Sequence, residues 1–321
     1  MLEVRDLTVS YGTRDGAAQA VRGVSFTLER GQTLGVAGES GCGKSTMALS
    51  LLRLLPATAR VTGQVLFEGE DLLTARWARL RAVRWNAVSV VFQGAMSALN
   101  PVRTVGDQIC EPILLHDRVG VKAARGRAAE LLEAVGVPAR RAGDYPHEFS
   151  GGQRQRIMIA MALACRPDLI VADEPTTALD VMVQAQILRL LGDLVRESGI
   201  GVIMISHDLA VLAQMCERLA VMYAGRIVET GPAKELIADP RHPYTRALAR
   251  AFPTIGDPAS RLAPEGLPGD PPRIADLGDG CAFAPRCESA GPACRTGAME
   301  LWPSGEGRAA ACVHVLEGGA S

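Results

Sequence analysis

The sequence predicts an α/β fold, and three observations carry that expectation. Aromatic residues are sparse, at 4%, while 48% of the 321 residues are hydrophobic. The core material is therefore aliphatic, which suits parallel strands covered by helices on both faces. Apolar strand-like runs alternate with segments of 3.6-residue periodicity. A glycine-rich turn separates one such strand from the helix that follows it, at residues 38–46. The length allows one large domain and a smaller appendage, each with a core of its own.

Taken in order, residues 2–11 and 20–29 read as β-rich segments with the turn "GTRDG" between them. "TLGVAG" (33–38) is a short strand running into "ESGCGKS" and then the helical "TMALSLLRLL". "GQVLFEG" and "VSVVFQ" are further strands. From about residue 104 to 165 the pattern is helical, clearest in "RAAELLEAVG". Then follow strand "LIVADEP", helix "VQAQILRLLGDLVRES", strand "IGVIMISHD", helix "LAVLAQMCE" and the hairpin-like "RLAVMYAGRIVETG". After Phe252 the chain turns rich in Pro, Gly and Asp, which predicts an irregular extension. The texture changes near 232–253, and the domains are set at 1–250 and 251–321.

Lys and Arg total 34 against 35 Asp and Glu. That balance gives no reason to expect a nucleic acid as partner. No apolar run reaches the roughly 18 residues a membrane span needs. The N-terminal "MLEVRDLTVSYG" has neither a basic start nor an apolar signal core. A soluble, cytosolic chain is expected. In that reducing compartment clustered cysteines read as metal ligands or plain thiols, not disulfides.

"GESGCGKST" (Gly38–Thr46) fits G-x-x-x-x-G-K-[ST] after a strand and before a helix. Its glycines let backbone N–H groups turn inward as an anion nest, and the helix N-terminus adds its dipole. Lys44 would neutralise the β- and γ-phosphates, and Ser45 would offer its hydroxyl to Mg²⁺. "LIVADEP" (Leu169–Pro175) is an apolar strand ending in two carboxylates. Asp173 would hold Mg²⁺, and Glu174 would accept the proton of an attacking water. "FSGGQRQR" (Phe149–Arg156) makes a second nest at a helix start. One triphosphate does not need two nests, so the second is expected to cap the nucleotide of a partner subunit; alone, it would be a helix N-cap at Ser150.

With these segments in place, the sequence resembles the ATP-binding subunit of ABC transporters over about residues 2–250. Its Walker A loop is identified with Gly38, Ser40, Gly41, Cys42, Gly43, Lys44, Ser45 and Thr46, its signature with Ser150, Gly151, Gly152 and Gln153, and its Walker B with "LIVADE". Gln93 in "VVFQ" matches the Q-loop, "ALD" (Ala178–Asp180) the D-loop, His207 in "ISHD" the switch histidine, and Tyr11 the aromatic that stacks on adenine. The resemblance implies a P-loop NTPase of ABC type, with a mixed sheet core, an antiparallel β-rich subdomain, a helical subdomain and a small irregular C-terminal extension. It implies two such domains paired head-to-tail around two ATP molecules with Mg²⁺. Ser45, Gln93 and Asp173 then serve the metal, and Glu174, His207, Lys44 and Gln93 the chemistry. ATP closes the pair and hydrolysis opens it. Cys42 reads as a tolerated small residue, not a redox switch.

"RHPYTRALARAFP" (Arg241–Pro253), "LPGDPPRI…GCAFAPRC" and "FQGAMSALNP" resemble the dipeptide, oligopeptide and nickel permease group. That implies an importer ATPase for di- or oligopeptides at the cytoplasmic face of the membrane. Expected partners are a second ATP-binding subunit, as a heterodimer, two transmembrane permease subunits and an extracytoplasmic binding protein. Nickel is the alternative solute. Soluble ABC ATPases acting on DNA or ribosomes form a different class, characterised by coiled coils or paired cassettes that this chain lacks. A redox-sensing module, resting on the cysteines alone, is a third.

Half of the eight cysteines are Cys281, Cys287, Cys294 and Cys312, spaced C-x5-C-x6-C-x17-C. The spacing lacks the tight pairs of most structural zinc sites. Loops of this size still close on one metal at modest entropic cost. Four thiolates suit a [4Fe–4S] cluster or zinc, and the family resemblance favours the cluster; unligated thiols are the third reading. Structurally, a metal would staple a tail with little apolar material. Cys110, Cys165 and Cys216 lie in helical patterns and read as core residues.

Overall fold

The computed structural model describes residues 1–13, 16–94, 98–177, 179–251, 267, 269–274, 277–297 and 299–318. Its strands are β1 (Leu2–Thr13), β2 (Gly16–Leu28), β3 (Thr33–Ala37), β4 (Ala59–Phe67), β5 (Glu70–Asp71), β6 (Val88–Val91), β7 (Leu169–Asp173), β8 (Gly201–Ser206), β9 (Arg218–Tyr223), β10 (Arg226–Pro232), β11 (Trp302–Gly305) and β12 (Arg308–Ala310). The chain divides into two compact units, Met1–Leu28 with Thr33–Thr74 and Ile205–Ser321, and Glu29–Gln32 with Ala75–Met204. No helix among the described residues is long and apolar enough to cross a membrane.

The first unit holds two sheets. An antiparallel one has the order β2-β1-β4-β5. Leu2, Val4, Leu7 and Val9 of β1 are buried in it, the alternation shifting by one residue at an irregularity where Asp6 is left-handed at φ 48°. In the second, β3 pairs parallel with β9, and β9 turns back on β10 through Ala224 and Gly225, both left-handed at φ 48° and 82°. Two such residues form the tight turn whose twist matches a hairpin. The helix Lys44–Leu51 springs from the loop after β3.

Beyond the hairpin the structure departs from the expected irregular extension. β12 pairs antiparallel with β10, Glu229 opposite Ala310, and β11 pairs with β12. "WPSGEGRAA" has little strand character of its own. It becomes strand because the edge of β10 offers a row of backbone donors and acceptors that must be satisfied. The C-terminal segment thus shares a sheet with the strand that leads into the glycine loop. Of the stretch after the helix Pro243–Ala251, residues 252–266, including Phe252 and Pro253, lie outside the described residues.

Glu229, on β10, joins these pieces. Its side chain has no solvent exposure and lies 3.6 Å from the Arg308 guanidinium on β12. Its two oxygens also accept the backbone N–H groups of Arg241 and His242, each at 2.9 Å. Those are donors that the start of the helix Pro243–Ala251 would otherwise leave bare. His242 continues the cap, its Nδ1 accepting the Tyr244 N–H at 3.0 Å. Burial pushes the His242 imidazole down to about 4, so it is neutral and able to accept.

The second unit carries β8, β7 and β6 as neighbours in that order. β6 and β7 run parallel, Val88 opposite Leu169 and Val91 opposite Ala172, and all five residues of β7 are buried. Helices Val105–His116, Val121–Ala134 and Gly151–Ala162 form its helical part. Cys110 lies in the first of these, as expected, but Cys165 follows the third and Cys216 follows the helix Leu209–Met215 of the first unit. Arg166, left-handed at φ 52°, closes the turn that holds Cys165. All three cysteines are buried nonetheless.

Glu229→Ala should lower the unfolding free energy by about 3 kcal/mol, because it leaves two buried backbone donors bare and takes from the buried Arg308 one of its two acidic partners, Asp239 being the other. Glu229→Gln, which keeps an acceptor, should cost less. Urea unfolding of both variants beside the parent chain checks this, and equal midpoints for all three would contradict it.

Candidate functional site

In the first unit the loop after β3 is shaped for an anion. Gly43 has φ 105°, and a Cβ there would lie 2.3 Å from the Ala20 carbonyl oxygen. Gly38 has φ 153° and would meet the Met222 carbonyl oxygen at 2.3 Å. Only glycine fits both positions. Lys44 is 5% exposed. Its Nζ donates to the carbonyls of Gly38 at 2.6 Å and Glu39 at 2.8 Å, and lies 3.7 Å from Cys42 Sγ. The ammonium is thus folded into the loop. Met47 N–H binds the Gly43 carbonyl at 2.9 Å, so Gly41, Cys42 and Gly43 turn directly into the helix, with Ser45 and Thr46 in its first turn. Ser40, before them, is exposed. Burial pushes the Cys42 thiol up despite Lys44 beside it. An uncharged thiol is a poor nucleophile, in keeping with a packing role.

His207 is exposed between β8 and the helix Leu209–Met215. Asp208 caps that helix by accepting the N–H groups of Ala210 and Val211 at 2.9 and 3.1 Å. Tyr11 is half-buried on β1, opposite Ala18 on β2 and Ala59 on β4.

The four C-terminal cysteines converge. Cys281, Cys287, Cys294 and Cys312 line one small cavity, together with His242 and Phe283. The Cys281 N–H donates to the Cys294 carbonyl at 2.8 Å. The backbones approach so closely that a Cβ on Gly280 would fall 2.6 Å from that same oxygen. Burial first, then the neighbouring thiols, push Cys281, Cys287 and Cys312 up. Among the described residues, however, no group of three or more His, Cys, Asp or Glu side chains is arranged to hold a metal ion. His314, at the cavity's edge, contacts the Ser289 carbonyl at 2.9 Å.

In the second unit, β7 ends in Asp173, which is 5% exposed. Glu174 follows in a left-handed conformation, φ 44°, an arrangement that costs a non-glycine residue on the order of 1–2 kcal/mol. Its Oε2 accepts Gln93 Nε2 at 2.9 Å and Thr177 Oγ1 at 2.8 Å. Gln93 and Glu174, 81 residues apart, are therefore brought together. No sequence pattern marks Thr177. Ser150 caps the helix Gly151–Ala162, its Oγ accepting the Gln153 N–H at 3.4 Å while Gln153 Oε1 accepts the Ser150 N–H at 3.1 Å. Ser150 is thus a helix N-cap with a capping box. A Cβ on Gly152 would lie 2.5 Å from Val183 Cγ1, so that glycine admits the helix Val181–Ser198, which Asp180 caps through the Val183 N–H. Ala178 of the "ALD" stretch lies outside the described residues.

Sequence reasoning also missed the residues that join the cysteine loop to the glycine loop. Arg286 holds both Glu39 oxygens, at 2.8 and 3.0 Å, and the Tyr223 hydroxyl at 3.2 Å. The Tyr244 hydroxyl accepts the Glu39 N–H at 2.9 Å. The partners of the ion pair stand 247 residues apart, and no local pattern marks them. "HPYT" was the nearest signal, because it contains Tyr244.

A family model described as "ABC transporter" matches residues 21–177, and one described as "Oligopeptide/dipeptide transporter, C-terminal region" matches 228–294. The chain is 48% identical to the "Probable peptide ABC transporter ATP-binding protein y4tR" of Sinorhizobium fredii, over 97% of this chain and 94% of that one. It is 47% identical to the "Dipeptide transport ATP-binding protein DppD" of Bacillus subtilis, over 89% and 86%. Among solved structures, the ATP-binding cassette MJ0796, a dimer in a post-hydrolysis state bound to ADP and Pi, matches with TM-score 0.66 and 29% identity, over 73% of this chain and 99% of that one.

Burial pushes the Cys165 thiol up to about 11 and Cys216 up to about 12. In native protein treated with a chelator at pH 8, a charged thiol reagent should therefore label Cys281 and Cys287 first. Cys42, Cys165 and Cys216 should react only on unfolding. Mass spectrometry of the labelled peptides reads the order.

Proposed function

Because the chain belongs to the ATP-binding proteins of ABC transporters, in the group with the oligopeptide/dipeptide C-terminal region, we propose that it is the ATPase that drives uptake of di- and oligopeptides across the cytoplasmic membrane. The observation that carries the catalytic assignment is the Gln93–Glu174–Thr177 hydrogen-bond set directly after the buried Asp173.

In this reading the loop Gly38–Thr46 wraps the triphosphate, and Tyr11 stacks on adenine. Lys44 exchanges the carbonyls of Gly38 and Glu39 for the β- and γ-phosphates. Ser45, Gln93 and Asp173 are the residues that would hold Mg²⁺, which supplies charge neutralisation at the phosphates. Glu174 takes the proton of the attacking water, its carboxylate oriented by Gln93 and Thr177. His207 contacts the γ-phosphate. Ser150, Gly151, Gly152 and Gln153 serve the nucleotide of a second ATP-binding subunit, a different chain of the same kind. The name of the dimeric cassette MJ0796 supports such pairing. Two membrane permease subunits and an extracytoplasmic binding protein complete the importer, with this chain at the cytoplasmic face.

The four-cysteine cavity is the place for a [4Fe–4S] cluster. Four sulfurs around one cavity support this reading. A metal there would have a structural role, stapling a segment with little apolar material of its own.

Two measurements test these readings. In liposomes holding the assembled transporter, peptide-loaded binding protein should stimulate ATPase activity, and Glu174→Gln should reduce it by about 100-fold or more. Stimulation by nickel and not by peptide would overturn the substrate, and full activity of the variant would overturn the base. Protein purified without oxygen should be brown, with about four irons per chain; colourless protein with one zinc would refute the cluster.

A further inference from the structure

A carboxylate sits inside the loop read as the phosphate cradle. Glu39 is the second residue of "GESGCGKST", and a triphosphate bound there would bring several negative charges close to it. Like charges in a partly buried site repel strongly. Glu39 does not face this alone. Its carboxylate is 19% exposed and receives a two-pronged hydrogen bond from Arg286, whose side chain is 6% exposed. The Arg286 guanidinium is itself held by the Tyr223 hydroxyl at 3.2 Å and lies 5.8 Å from the rings of Tyr223 and Phe283. The Glu39 backbone is fixed as well, its N–H on the Tyr244 hydroxyl and its carbonyl on Lys44 Nζ.

We infer that Arg286, with Tyr244, is a positioning residue for nucleotide binding: it masks the Glu39 charge and pins the phosphate loop from the cysteine-lined extension. The inference rests on the reading of residues 38–46 as the triphosphate site. Arg286 lies in the short turn Ala284–Arg286, between Cys281 and Cys287. The extension therefore acts on the loop through a charge it delivers.

The geometry separates masking from simple packing. If masking is the role, removing the arginine harms binding because it uncovers the carboxylate, and removing the carboxylate too repairs the harm. Affinity for a fluorescent ATP analogue with Mg²⁺ is to be measured on the full-length parent chain, Arg286→Ala, Glu39→Gln and the double variant Glu39→Gln/Arg286→Met, with thermal midpoints recorded alongside. Arg286→Ala should weaken binding roughly tenfold, and the double variant should bind within about threefold of the parent, with Glu39→Gln as the fourth corner of the cycle. In the assembled ATPase, Arg286→Ala should raise KM for ATP while kcat changes little.

If Arg286→Ala does not yield folded protein, the double variant decides the matter, since methionine preserves much of the packing. A double variant that is folded but binds as weakly as Arg286→Ala, or roughly tenfold below the parent, would overturn the masking role. Parent-like affinity of folded Arg286→Ala would do the same. A parent chain that binds no nucleotide would instead overturn the reading of the loop, and this inference with it.

Discussion

A carboxylate with no exposure to solvent organises the C-terminal third of this chain. Glu229 stands on β10, and its two oxygens answer to Arg308 of β12 and to the first backbone donors of the helix Pro243–Ala251. Burying a charge is costly unless every lone pair finds a partner. Glu229 meets that condition only if the strand, the helix start and the arginine are all in place at once. That requirement fixes His242 as a neutral acceptor and sends Tyr244 beneath the glycine loop. It also sets the wall against which the four cysteines gather. The cysteine cavity and the glycine loop thus share one scaffold, although Glu39 and Arg286, which join them, stand 247 residues apart.

The two units differ in what each builds. The first supplies rigid backbone: a loop whose glycines leave no room for side chains, and a hairpin and two added strands that brace it. The second supplies orientable side chains at the end of a buried strand. Glu174 is held in a strained conformation by Gln93 and Thr177. Strain of that kind persists where surrounding bonds over-determine the geometry.

Much of this was legible from the residues. The glycine loop, the strand ending in Asp173 and Glu174, and the helix cap at Ser150 each carry a local pattern with a local physical cause, so they can be read in one dimension. The hairpin turn at Ala224 and Gly225 was legible for the same reason. Three things were not. "WPSGEGRAA" became strand through an edge it borrows, the Arg286–Glu39 pair spans the chain, and Thr177 looks like any turn residue. Each depends on a partner distant in sequence or on a role without a signature. The cysteines fall between these cases: their clustering was visible, and their convergence on one cavity fits it, but spacing alone does not arrange sulfurs around an ion.

The pairing of β12 with β10, together with the reach of Arg286 to Glu39, sets an order on the making of this protein. A ribosome delivers Glu39 247 residues before Arg286. Until then the nascent chain carries its glycine loop without the strand and the guanidinium that brace it. The loop gains these contacts late, and a chain cut before Arg286 loses more than a tail.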